Sequence, residues 1–98
     1  MAVATTDVRI KPSQGWVLVA TNPVFLCIKP SAFTVWTIAV TAGGLPATTL
    51  RGLQMGRGID DRQAFQTGAI TGEIYIRVDI PASSMSSEDP VHFGVIAA

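Results

Sequence analysis

The sequence predicts an all-β domain, an antiparallel β-sandwich or a small barrel of about seven or eight short strands. Three observations support this prediction. Apolar residues recur with a period of two, turn-forming residues interrupt the chain about every 8–12 residues, and no stretch keeps helical spacing of apolar positions for three turns. Nine glycines and six prolines leave few uninterrupted stretches in which a helix could form.

The first half of the chain contains four strand candidates. DVRIKP (7–12) predicts an edge strand that Pro12 ends, and WVLVAT (16–21) lies between a Ser-Gln-Gly turn and an Asn-Pro turn. VFLCIK (24–29) is an apolar run before a proline. FTVWTIAVT (33–41) alternates small and bulky residues and stops at Ala-Gly-Gly. Each run is rich in β-branched or aromatic residues, which favours strands.

The second half contains four more. TTLRGLQM (48–55) carries a glycine that predicts a bulge, and RQAFQTG (62–68) is a short candidate. The clearest strand is GEIYIRVDI (72–80), and VHFGVIAA (91–98) predicts a terminal strand. In the strand 72–80 the residues predicted to face the core are Ile74, Ile76, Val78 and Ile80, and those predicted to form a polar face are Glu73, Tyr75, Arg77 and Asp79.

The length of 98 residues predicts one β-domain, residues 1–98, in which residues 1–12 can extend as an N-terminal arm. Only 14 % of the residues are charged, against about 25 % in average soluble domains. A small apolar domain of this kind exposes apolar surface, so we expect a homo-oligomer. The net charge is zero and no two basic residues are adjacent, which predicts no nucleic-acid partner. No apolar run has the length of a membrane span and the first residues do not resemble a secretory signal, so synthesis in a cytoplasm without a membrane partner is expected.

Few residues suit catalysis or metal binding. His92 is the only histidine, and Cys27, the only cysteine, lies in an apolar run that predicts a buried small side chain. We therefore predict no catalytic, cofactor or metal site and no enzymatic activity. A small enzyme stays a third hypothesis, in which His92 would meet Asp60 or Asp61 and a nucleophile in one pocket.

The stretch GRGIDDRQAF (56–65) concentrates four charges: Arg57, Asp60, Asp61 and Arg62. It has neither the frame of a phosphate-binding loop nor the spacing of a calcium loop. Two interpretations stay open. The charges can pair with one another on a surface loop, or they can fix register and partner choice across a subunit interface. The predicted subunit-interface residues are therefore these four together with His92 and Phe93 of the terminal strand.

The two tryptophans have two interpretations as well. Trp16 and Trp36 can pack in the core, or one of them can join Tyr75 in an exposed platform that stacks against a sugar. The second interpretation predicts a carbohydrate-binding or host-attachment module.

The order of strands and turns resembles the small structural proteins of tailed-bacteriophage virions. The similarity rests on WVLVA at 16–20, TAGGLP at 41–46 and GEIYIRV at 72–78. It implies a capsid decoration (cement) protein, or a spike, fibre or tail accessory subunit. Such a protein is made in the host cytoplasm, resides in the virion, and binds the major capsid protein or other virion subunits. The carbohydrate-binding spike or fibre module is the alternative.

Overall fold

The computed structural model of the chain describes residues 4–31, 34–47, 50–56, 64–80 and 90–98. Within these ranges the chain forms eight β-strands, one 3-10 turn at Pro12–Gln14 and no α-helix, so the predicted all-β class is confirmed. The strands are β1 (Ala4–Ile10), β2 (Val17–Thr21), β3 (Leu26–Pro30), β4 (Val35–Thr41), β5 (Leu53–Met55), β6 (Phe65–Thr67), β7 (Glu73–Ile80) and β8 (Val91–Ala97).

The strands form two four-stranded antiparallel sheets. Sheet 1 has the order β1-β8-β3-β6 and sheet 2 has the order β2-β7-β4-β5. Each sheet ends in two edge strands among the described residues. Of the two predicted architectures the chain therefore adopts the sandwich, and not the closed barrel.

The core lies between the two sheets and follows from the period of two. In β8 the buried residues Val91, Phe93 and Val95 alternate with exposed ones. The rings of Trp36 in sheet 2 and Phe93 in sheet 1 meet edge to face, with centroids 5.3 Å apart and planes inclined by 66°. This contact joins the two layers. The buried core consists of Ile10, Leu26, Ile28, Trp36, Ile38, Met55, Ile74, Ile76, Val78, Val91, Phe93 and Val95.

Strand β7 shows both a confirmed prediction and a difference. Ile74, Ile76 and Val78 are buried in the core, as the alternation predicts. The opposite face is more covered than a simple polar face, because Tyr75 is only 5 % exposed and the other polar residues of that face are half-buried. Part of the chain must therefore lie over the outer face of sheet 2.

Gly52, just before β5, makes one close approach to β4. It was predicted as a bulge inside a strand, but the strand begins one residue later and β4 pairs with β5 without a register shift. Gly52 has φ +64°, and a Cβ there would lie 2.8 Å from both the carbonyl oxygen of Ile38 and Cγ2 of Thr37. The backbone before β5 thus lies directly against the outer face of β4, and only glycine fits.

Cys27 also differs from its prediction. Its neighbours Leu26 and Ile28 are fully buried, so the alternation turns Cys27 to the outer face of sheet 1, where it is half-buried. It is a free thiol and not part of the core.

Candidate functional site

The residues that the sequence predicted at a subunit interface lie in different parts of the structure. Arg57, Asp60, Asp61 and Arg62 lie outside the described residues, and the predicted meeting of His92 with Asp60 or Asp61 lies outside them too. Phe93 is fully buried against Trp36. Its side chain belongs to the core, so it is not available to a partner surface.

His92 lies on the outer face of sheet 1, beside the edge strand β1. It is paired with Arg9 in the β1–β8 register, and its Nδ1 atom lies 3.5 Å from Oδ2 of Asp7. The Nε atom of Arg9 is also 3.5 Å from that oxygen. The three side chains are 45 %, 66 % and 56 % exposed for His92, Arg9 and Asp7, so these loose ion pairs contribute about 0–1 kcal/mol.

Strand β1 is the longest edge strand among the described residues. All seven of its residues pair with β8 in one register without a bulge. Within the described residues, no strand pairs with its other side, which we call the β1 edge. The remaining edges are blunted, because β5 and β6 have only three residues each and β2 contains a register shift.

The side chains of β1 change character along the strand. Its first four residues are exposed, Val8 is half-buried and Ile10 is fully buried. The C-terminal end of β1 is therefore packed into the core, while the side chains of its N-terminal end are exposed to solvent. A regular edge of this kind presents backbone N–H and C=O groups on which a further strand can pair.

The outer face of sheet 2 holds a second group of polar residues, which we call the sheet 2 polar cluster: Thr37, Gln54, Arg77 and Asp79. Arg77 Nε donates to Asp79 Oδ1 over 2.8 Å, and Gln54 Nε2 donates to Asp79 Oδ2 over 3.2 Å. The hydroxyl of Thr37, which is fully buried, donates to the same oxygen. A bulge in β7 opposite Val35 and Trp36 leaves Asp79 without a paired residue on β4 and directs its carboxylate into the cluster.

Arg77 is held from a second side by Trp16. The guanidinium carbon lies 4.4 Å from the centroid of the indole ring, a cation–π contact. A shallow cavity of about 380 Å³ lies beside the cluster and is lined by Arg51, Gly52, Gln54 and Arg77. Because Asp79 already neutralises Arg77, this arrangement is that of a structural ion pair beside a small polar depression.

The third polar group, which also lies on sheet 2, is centred on Glu73. Its Oε1 atom accepts hydrogen bonds from the hydroxyl of Tyr75 and from the backbone N–H of Gly44, each 2.7 Å long. Both bonds favour the carboxylate and lower the pKa of Glu73, the bond from Tyr75 most. The same bond raises the pKa of the Tyr75 hydroxyl, and burial and the nearby charge of Glu73 raise it further.

The predicted aromatic platform does not form. Trp36 and Tyr75 are buried, and Trp16 is half-buried beneath the guanidinium of Arg77. The indole N–H groups of both tryptophans are buried and find no hydrogen-bond acceptor among the described residues. The core interpretation is thus correct for Trp36, while Trp16 supports the surface ion pair.

Sequence reasoning did not single out Asp7, Arg9, Arg77 or Asp79 as a group. The available signal was the spacing of two, because Asp7 and Arg9 share one face of β1, and Arg77 and Asp79 share one face of β7. The strand alternation predicted the polar face of β7, whereas no face was predicted for β1. The alternation did not show which polar face would be covered by other parts of the chain and which would stay exposed to solvent.

In the described ranges there is no group of three or more His, Cys, Asp or Glu side chains that could hold a metal ion. Nor does that part of the chain include a helix long and apolar enough to cross a membrane. Comparisons with protein-family models, with curated proteins and with solved structures find no match to this chain.

Proposed function

We propose that this chain is a structural virion subunit of the tailed-phage type, which binds between coat subunits on the capsid surface and stabilises the shell without catalysis. The observation that carries the proposal is the β1 edge. It is seven residues long and regular, and within the described part of the chain the other three edges are short or bulged. A protein that assembles by strand addition needs one such edge.

The surface composition supports the same function. Among the residues that the structure describes, large apolar side chains are more than a third exposed at seven positions: Leu18, Val24, Val40, Leu45, Leu50, Leu53 and Ile96. With charged residues at only 14 % of the sequence, little electrostatic repulsion opposes close approach of other subunits. Burial of apolar area at about 25 cal/mol per Å² would favour docking on a shell.

The carbohydrate-binding alternative receives less support. It requires an exposed aromatic platform, and the candidate aromatic residues are buried or covered. The chain therefore offers sugars no stacking surface at Trp16, Trp36 or Tyr75.

The proposal is tested on intact particles. Particles from the culture that produces the chain are purified on a density gradient, and the copies of the chain per copy of major coat protein are counted by quantitative mass spectrometry. We expect a fixed ratio that matches the symmetry of the capsid or of a ring in the tail. Particles from a strain that lacks the chain should release their genome at a lower temperature. Absence of the chain from purified particles would refute the proposal.

A further inference from the structure

We infer that the β1 edge binds a second copy of this chain, through antiparallel pairing of the two β1 strands around a two-fold axis at Val8. The inference rests on the proposed function, because it names the partner of the assembly edge described above. Pairing would join the two copies of sheet 1 into one continuous sheet of eight strands.

The pleat restricts the registers that such a pairing can use. Residues directly opposite each other in an antiparallel pair share a face, so a two-fold axis must lie at a residue position and pair inner with inner and outer with outer. Only registers centred on Thr6, Asp7 or Val8 keep at least five of the seven residues of β1 paired.

Charge selects one register among these. An axis at Asp7 would place Asp7 opposite its own copy and so bring like charges together. An axis at Thr6 leaves the two charges opposite uncharged residues. An axis at Val8 places Asp7 opposite the partner's Arg9 and Arg9 opposite the partner's Asp7. Opposite charges in directly opposed positions stabilise a strand pair, and like charges destabilise it.

The neighbouring strand β8 leaves room for these pairs. In the register of sheet 1, Asp7 lies opposite Gly94, which has no side chain to compete for the carboxylate. Arg9 lies opposite His92, whose imidazole approaches Asp7 from the other side. Because Asp7 and Arg9 are exposed and held only by contacts of 3.5 Å, both side chains can turn toward a partner with little loss.

The inner face continues across the same axis. Val8 would pack against the partner's Val8, and Thr6 would lie opposite the partner's Ile10. Val8 is half-buried in the single chain, so pairing would cover its remaining surface and extend the apolar layer between the sheets. The two faces thus favour one and the same register.

The test uses charge reversal and sedimentation velocity over a range of protein concentrations. In D7R the partner's Arg9 meets an arginine, and in R9D the partner's Asp7 meets an aspartate. Each variant alone should dimerise at least about tenfold more weakly than the wild type, since two pairs per dimer become repulsive. An equimolar mixture of D7R and R9D should recover a heterodimer of wild-type strength, because every pair is then attractive.

The matched control is R51E, a charge reversal at an exposed residue that precedes β5 of sheet 2 and is not part of sheet 1. It should leave the dimer unchanged. Far-UV circular dichroism verifies that all variants fold, which is expected because the altered side chains are exposed. Variants that dimerise like the wild type, or a mixture that recovers nothing, would overturn the register and with it the inference.

The result separates this inference from the proposed function. A wild-type chain that is monomeric at all concentrations but present on purified particles overturns the dimer and leaves the virion role standing. If D7R and R9D lose attachment to particles while dimerisation is unaffected, the β1 edge binds coat protein, which also overturns the inference. A dimer with the expected charge dependence, from a chain absent from particles, refutes only the virion role.

Discussion

The outer faces of the two sheets differ, although the same alternation of residues produces both. On sheet 2 the chain covers its own face: Thr37 is fully buried and closely approached by Gly52, and Asp79 is only 16 % exposed. On sheet 1 the charged side chains Asp7 and Arg9 are more than half exposed and hold only loose contacts. One face is completed within the chain and the other is left to solvent.

The difference indicates where a partner can bind at low cost. Removing a polar side chain from water costs free energy unless it gains a bond, and on sheet 2 those bonds are already made within the chain. A partner there would have to compete with the Arg77–Asp79 pair. On sheet 1 the charges hold only loose contacts, and beside them β1 offers a row of backbone groups. Assembly is therefore expected through sheet 1, while sheet 2 contributes stability.

The largest expected effect on the free energy of unfolding comes from disturbing the close packing of Gly52 against β4. Gly52→Ala introduces a Cβ that would lie 2.8 Å from backbone and side-chain atoms of β4, at a φ of +64° that alanine disfavours. We expect a loss of about 2–4 kcal/mol in the free energy of unfolding. Urea denaturation measures it.

Alanine substitutions at two other glycines separate the two contributions to that loss, backbone strain and the clash with β4. Gly44 has φ +84° with open space for a Cβ, and Gly43 has open space without a positive φ. Alanine at Gly44 should cost about 1 kcal/mol from backbone strain, and alanine at Gly43 about 0.5 kcal/mol or less in either direction. If Gly52→Ala is no more costly than Gly44→Ala, the close approach to β4 does not contribute to stability.

The next effect compares two aspartates, one on each outer face. Asp79→Ala leaves the buried hydroxyl of Thr37 and the guanidinium of Arg77 without their acceptor, and we expect a loss of about 1–3 kcal/mol. Asp7→Ala on sheet 1 removes only exposed contacts and should change stability by about 0.5 kcal/mol or less. Both are measured by urea denaturation at concentrations where the wild type is monomeric. Equal losses would contradict the difference between the two faces.

The sequence predicted the strands well because their signal is local. Ile74, Ile76 and Val78 alternate with polar residues, and that pattern alone turns them toward a core. The burial of Thr37 had no local signal, because it depends on Gly52 approaching from fifteen positions away and on Asp79 from another strand. The same limit applies to the candidate site. His92 was predicted as a subunit-interface residue, but its neighbour Asp7 is brought to it only by the pairing of β1 with β8.

The smallest expected effect is a change in pH dependence at Glu73 and Tyr75 of sheet 2. The folded state lowers the pKa of Glu73, so this residue contributes stability that is present above the ordinary glutamate pKa of about 4.3 and is lost as the pH falls through the folded value. The folded state raises the pKa of Tyr75, so its contribution is present below the ordinary tyrosine pKa of about 10 and is lost as the pH rises through the folded value.

Tyr75→Phe removes a single hydroxyl and tests both parts of the stability curve, the loss at acid pH (the acid limb) and the loss at alkaline pH (the alkaline limb). The acid limb should become shallower but persist, because the N–H of Gly44 still donates to Glu73, and the alkaline contribution of this residue should disappear. The measurement is the free energy of unfolding from acid to alkaline pH for the wild type, Tyr75→Phe and Glu73→Gln. Glu73→Gln should abolish the acid contribution of residue 73 and weaken the alkaline limb, because it removes both the bond and the charge that raise the pKa of Tyr75. Parallel pH curves for Tyr75→Phe and the wild type would mean that the Tyr75–Glu73 bond does not act on the outer face of sheet 2 in solution.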